Sequence, residues 1–125
     1  MRLKERQQLN VFEMKCLRSM LNVTGRDRVR NEVVRDRMGV MIPFDRRVDE
    51  NVLRWFGHME RMNETWLTKR VMRASAEGRA QRGRPRYGWM DGVRSALNGR
   101  GLTVEEASVR ARNRSEWGAI VKTQL

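Results

Sequence analysis

Leu9, Phe12, Cys16 and Met20 follow one another at steps of three, four and four, and Val11, Leu17 and Leu21 widen the stripe. That spacing is the period of a helix with one face turned toward a core, and it predicts a helix over residues 6–21. Thr24, in T-G-R-D, stands where it can cap a second helix, with Asp27 in the positive first turn. Val29, Val33, Val34 and Met38 make the buried face of that helix, and Gly39 supplies a left-handed stop. Beyond Pro43, a third helix is expected over 45–61, where Val48, Val52, Trp55, Phe56, Met59 and Met62 share a face bordered by Leu53. Its other positions, Arg46, Arg47, Asp49, Glu50, Arg54, Glu60 and Arg61, mix signs as a solvated face does. Asn63 can cap a fourth helix carrying Trp66, Leu67, Arg70 and Val71.

From Ala74 to Arg86 the periodicity vanishes, and S-A-E-G-R-A-Q-R-G-R-P-R reads as a flexible basic loop. Trp89, Val93 and Leu97, four apart, resume a helix that ends near Gly99 and Gly101. Thr103 and Glu106 form a T-x-x-E capping box for a short helix with Val104, Ala107 and Ala111. Trp117, Ile120 and Val121 mark one more apolar step. Sustained apolar/polar alternation is missing, so no sheet is expected. The fold class is all-α: six or seven short helices in two small lobes, 1–73 and 87–125, joined by the basic Gly/Arg loop at 74–86. The second lobe, about 39 residues, buries so little that its independent folding is open.

Charge changes the picture most. Charged residues make up 34% of the chain, above the usual ~25%, and the net charge is +12. Of the 27 basic residues only Lys4, Lys15, Lys69 and Lys122 are lysines; the other 23 are arginines. Arginine's planar fork suits bidentate contact with phosphate and stacking on rings, so the balance points to RNA or DNA as partner, held through its phosphates. The plainer alternative is a basic solvated surface without a particular partner. Cys16 is the only cysteine and His58 the only histidine, which excludes an internal disulfide and a Cys/His zinc site. No run approaches the ~18 apolar residues of a membrane span, and the first ten residues lack a secretory signal. An intracellular, soluble chain without metal, cofactor or membrane is expected, with the nucleus as its compartment.

No catalytic constellation emerges. His58, in W-F-G-H-M-E, reads as a structural hydrogen-bonding residue, with a general base as the rival reading. Asp45, Asp49 and Glu50 alternate with Arg46 and Arg47, which favours intrahelical ion pairs over a metal site. Cys16, on an apolar stripe, reads as a small core residue. Gly78, Gly83 and Gly88 lack the Lys-Ser context of a phosphate-cradling loop. The chain is not expected to be an enzyme. Trp55 and Trp117 are assigned to the core, whereas Tyr87 and Trp89 flank the basic loop and are open to core packing or base stacking.

Between positions 69 and 86, Lys69, Arg70, Arg73, Arg79, Arg82, Arg84 and Arg86 face a single acid, Glu77. These seven, with Tyr87 as a stacking partner, are the expected nucleic-acid-binding residues. R-G-R-P at 82–85 also resembles the core of an AT-hook, in which arginines enter the narrow minor groove of A·T-rich DNA. A loop that only meets phosphates needs no such reading of sequence, and a solvated linker is the third possibility.

The ordered set T-G-R-D-R-V-R-N-E-V-V-R-D-R-M-G-V at 24–40, V-L-R-W-F-G-H-M-E-R-M at 52–62 and R-G-R-P-R-Y-G-W-M-D-G-V at 82–93 resembles the C-terminal region of non-LTR (LINE-type, RTE-like) retrotransposon polyproteins. The likeness runs from about Val11 to Val121. The full-length family proteins carry an endonuclease and then a polymerase with a Y/F-A-D-D motif, and no such tetrapeptide occurs in this chain. The resemblance therefore implies a non-catalytic tail that holds template RNA or target DNA near an upstream reverse transcriptase domain. A non-functional structural remnant that packed on the polymerase thumb is the alternative, and an AT-hook-like DNA-binding protein is another.

Overall fold

The computed structural model describes residues 2–74, 82–83 and 86–123. Among the described residues there are seven α-helices and no strand, so the all-α class holds. They are α1 (Leu3–Met20), α2 (Asn31–Met38), α3 (Phe44–Glu60), α4 (Leu67–Arg73), α5 (Trp89–Asn98), α6 (Val104–Arg110) and α7 (Arg114–Lys122). The chain forms two compact units, Met1–Val48 and Asp49–Leu125, and the division falls inside α3.

In the first unit α1 and α2 close on Met14, Leu17 and Val34, with Leu21, Val29, Met38 and Val40 packed around them. The buried stripe of α1 is therefore not the expected one. Val11, Phe12, Cys16 and Met20 are exposed, and Cys16 is a surface thiol rather than a core residue. The helix carries apolar residues around most of its circumference, whereas α2 is eight residues long and covers one strip. Polar partners select that strip. Arg35 Nη2 pairs with Glu13 Oε2 at 2.7 Å, the Phe44 amide donates to the same oxygen, and Arg18 Nη2 donates to Val29 O and Asn31 Oδ1 at 2.8 Å each.

Thr24 does not cap α2. Its amide and hydroxyl donate to Asp27 Oδ2 around a single 3₁₀ turn, Gly25–Asp27, which Arg28 ends at φ 49°. The helix proper begins later, at Asn31, and stops as expected at Gly39, whose φ of 66° favours glycine. Asp45 pairs across to Arg6 on α1, and Glu50 and Arg54 pair one turn apart along α3.

The second unit is built on Leu53, Phe56, Val93, Ala96, Leu97, Ala107, Ala111, Trp117 and Val121. These come from both sides of the basic loop, so 74–86 does not divide two lobes. Apolar periodicity shows which faces are sticky, not which elements share them. Trp117 is the keystone: its indole N–H donates to Leu53 O at 2.8 Å, its ring lies 5.9 Å from that of Phe56, and it fills the space left by the missing side chain of Gly57. Arg100 fastens two helix ends, donating to Ala96 O on α5 and to Ile120 O and Val121 O on α7. The Thr103–Glu106 capping box forms as expected, and Asn113 Oδ1 caps α7 by accepting from the Ser115 and Glu116 amides.

Candidate functional site

The expected basic stretch begins on α4, and the first question is which of its charges are free. Asn63 accepts from the Thr65 amide and hydroxyl in a tight turn, which leaves Trp66 as the N-terminal flank of α4. One turn on, Lys69 is buried, 4% exposed. Its Nζ donates to Glu60 O at 2.8 Å and Met62 O at 3.0 Å, and it pairs with Glu64 Oε1 at 2.6 Å. All three ammonium protons are thereby used, two of them on carbonyls at the end of α3 and one on Glu64, so Lys69 is not placed to meet phosphate. Arg73 is also committed, with Nη1 on Glu64 Oε2 at 2.8 Å and Nη2 on the buried Glu60 at 3.2 Å. The Glu64 carboxyl is held below its ordinary value of 4.5, chiefly by the hydrogen bond from Lys69 and further by the charge of Arg73.

Arg70 stands on the outer side of α4, exposed and without a carboxylate partner among the described residues. Arg82 and Arg86 are exposed as well. Between them Gly83 adopts φ 136°, a conformation that favours glycine. Arg79, Arg84 and Pro85 lie outside the described residues, and with them the last two positions of the AT-hook-like R-G-R-P. Tyr87 is exposed at 44%. Of the eight residues the sequence singles out, Arg70, Arg82, Arg86 and Tyr87 are thus presented at the surface, and Lys69 and Arg73 are engaged internally.

Beside them is a feature that periodicity misassigned. Trp55, expected in the core, is 49% exposed, and Trp89 is 39% exposed. With Met59, Leu67, Val71 and Met72 they line an apolar hollow of about 580 Å³ on the second unit. Phe56, Gly57 and Leu53 take the inward face of α3, which leaves Trp55 one position to the side, its ring tilted over His58 at 5.2 Å. Trp89 keeps an edge toward the core, 6.4 Å from Phe56. Exposed indoles of this kind offer flat apolar faces to a planar ligand. Trp66, at 58%, is exposed too, and Trp117, at 2%, is the core tryptophan the pattern expected.

Among the described residues no group of three or more His, Cys, Asp or Glu side chains is placed to hold a metal ion. Among them, too, no helix is long and apolar enough to cross a membrane. His58 is exposed against Trp55 rather than buried in a hydrogen-bonded core position. No family model, curated protein or solved structure matches the chain. The retrotransposon resemblance thus stands on its ordered motifs alone.

Proposed function

We propose that the chain is a basic nucleic-acid-binding tail of a LINE-type reverse transcriptase, itself without polymerase or endonuclease catalysis. The observation that carries this reading is the set of exposed arginines without a carboxylate partner among the described residues, Arg70, Arg82 and Arg86, on the unit that also presents Trp55 and Trp89. Guanidinium groups supply sequence-independent attraction for phosphates, and indole faces accept unpaired bases whatever their identity. Arg79 and Arg84 extend the same basic stretch in sequence. Lys69 and Arg73 hold the helices that present it. RNA or DNA is the partner class, and an upstream polymerase domain would supply the chemistry.

A salt titration tests this. If four to six phosphates are neutralised, the log–log slope of duplex affinity against salt is about −4 to −5. Changing Arg79, Arg82, Arg84 and Arg86 together to alanine should flatten that slope; an unchanged slope removes the loop from the interface. The same titration on A·T-rich duplex, G·C-rich duplex and RNA separates a phosphate strap, which binds all three alike, from an AT-hook, which prefers the first.

A second reading has its own observation. Val11, Phe12 and Met20 leave apolar surface on α1 uncovered, as expected of a remnant that packed on a polymerase thumb. Such a remnant unfolds without a cooperative transition, whereas an independent module melts in one.

A further inference from the structure

We propose that the hollow between α3 and α7 is an anion site that receives phosphate groups of the bound nucleic-acid strand, a second line of contact separate from the Arg82–Arg86 stretch. Arg54 and His58 on α3 and Arg61, which continues its last turn by donating its amide to Gly57 O, follow at steps of four and three and so share one face. Arg114 opens α7 and Lys122 closes it. Together they line a hollow of about 320 Å³ floored by Trp117, Gly118 and Val121, with no carboxylate among the described lining residues.

Packing forces these charges together. Because Gly57 has no side chain, the Trp117 indole sits directly against α3, and the basic faces of the two helices converge. Arg61 is anchored there, Nη1 donating to Ala111 O at 2.7 Å. Burial, and then the like charge of Arg114, disfavour its protonated form. Arg54 has only a long contact to Glu50, 3.8 Å, and Arg114 and Lys122 are exposed without an ion pair among the described residues. Lys122 has an ordinary explanation, since a cation is favoured at the C-terminal end of a helix. Arg114 has none: it occupies the first turn of α7, the end where the helix dipole opposes a cation. Placing it there, against Arg61, costs the isolated chain free energy that an entering anion reverses. Phosphate fits the five donors, because guanidinium forks and an ammonium match its tetrahedral oxygens. That the phosphate belongs to nucleic acid rests on the functional reading above; the anion site does not.

The experiment has two arms. In the first, fluorescence anisotropy of a labelled single strand and duplex is followed across salt for the wild type and for Arg114→Gln with Lys122→Gln. Both positions are exposed, and the strain relieved at Arg114 offsets the helix-end charge lost at Lys122, so the double variant should fold as the wild type does, which a melting curve checks. The expected result is a slope shallower by about 1.5–2, added to whatever the loop variant removes. In the second arm, pyrophosphate is titrated at fixed pH while the His58 ring resonances are followed by NMR. A saturable shift is expected in the wild type and its loss in the double variant. An unchanged slope in a chain that still binds nucleic acid, or a pyrophosphate shift that survives the double variant, overturns the site and leaves the functional reading standing. Pyrophosphate binding without nucleic-acid binding keeps the anion site and sinks both its nucleic-acid source and that reading. Binding of neither ligand sinks everything proposed here.

Discussion

Two glycines, Gly57 on α3 and Gly118 on α7, behave oppositely when a methyl group is added to each in turn. A Cβ on Gly57 runs into the Nε1 and Cδ1 atoms of Trp117, a ring held by its bond to Leu53 and by core on all sides. Neither α3 nor the indole can yield cheaply, because the tryptophan is 2% exposed and fills the centre of the second unit. Gly57→Ala therefore costs about 1–3 kcal/mol through overpacking, even though alanine is the better helix former by about 1 kcal/mol. Gly118, inside α7, meets nothing within 4 Å and has no positive φ, so Gly118→Ala should gain about 0.5–1 kcal/mol. Urea denaturation of both variants decides the matter, and a Gly57→Ala protein as stable as the wild type removes the close approach of α3 and α7. Nothing in the sequence tells the two glycines apart. What separates them is a neighbour 60 residues away in one case and open space in the other.

Elements show the same division between what a local pattern dictates and what tertiary contact decides. Capping chemistry was legible where it is local: Thr103 with Glu106 opens α6, and Gly39 ends α2. It misled at Thr24, where the same residue types close a lone 3₁₀ turn because Arg28 turns left-handed before a helix can propagate. The face of α1 was illegible, since apolar residues surround it and polar contacts, Glu13 with Arg35 and Arg18 with Val29 and Asn31, select the strip that α2 covers. Lys69 was read as one more positive charge. Nothing in T-W-L-T-K-R announces that its ammonium ties off the carbonyl end of α3. That junction carries a pH dependence whose sign is fixed. Glu64 is held below its ordinary 4.5, so its charged form stabilises the fold above that value, and the contribution disappears as pH falls through the lowered folded-state value. Between about pH 6 and about pH 3 the urea midpoint should therefore drop less in Glu64→Gln than in the wild type, leaving the remaining fall to other carboxylates. An identical drop in both proteins means that the Lys69–Glu64 contact does not hold α4 to the end of α3.

At the scale of the whole molecule, all-helical architecture and basic charge were legible because both are sums over many residues. The partition of the chain was not, because it depends on which faces meet. The periodic segments on either side of the basic loop read as two lobes, yet Leu53 and Phe56 from before it share a core with Val93, Leu97, Trp117 and Val121 from after it. The actual units differ sharply in what holds them. The first closes on Met14, Leu17 and Val34, two of them still 7% exposed, whereas the second closes on nine residues, eight of them at 1% exposure or less, with a tryptophan at the centre. Local stability follows buried apolar contact, so the two units should open at different free energies. Amide hydrogen exchange at neutral pH reads this directly. Backbone amides in the second half of α3, in α5 and in α7 should be the slowest, and those of α1 and α2 faster by at least about tenfold, a difference of about 1.4 kcal/mol in opening free energy. Adding a single-stranded oligonucleotide sharpens the comparison. A ligand that binds only the folded second unit slows exchange there by mass action and leaves the centre of α1 unchanged. Uniform exchange across all seven helices shows one cooperative body instead, and selective slowing in α1 moves the binding surface to the first unit.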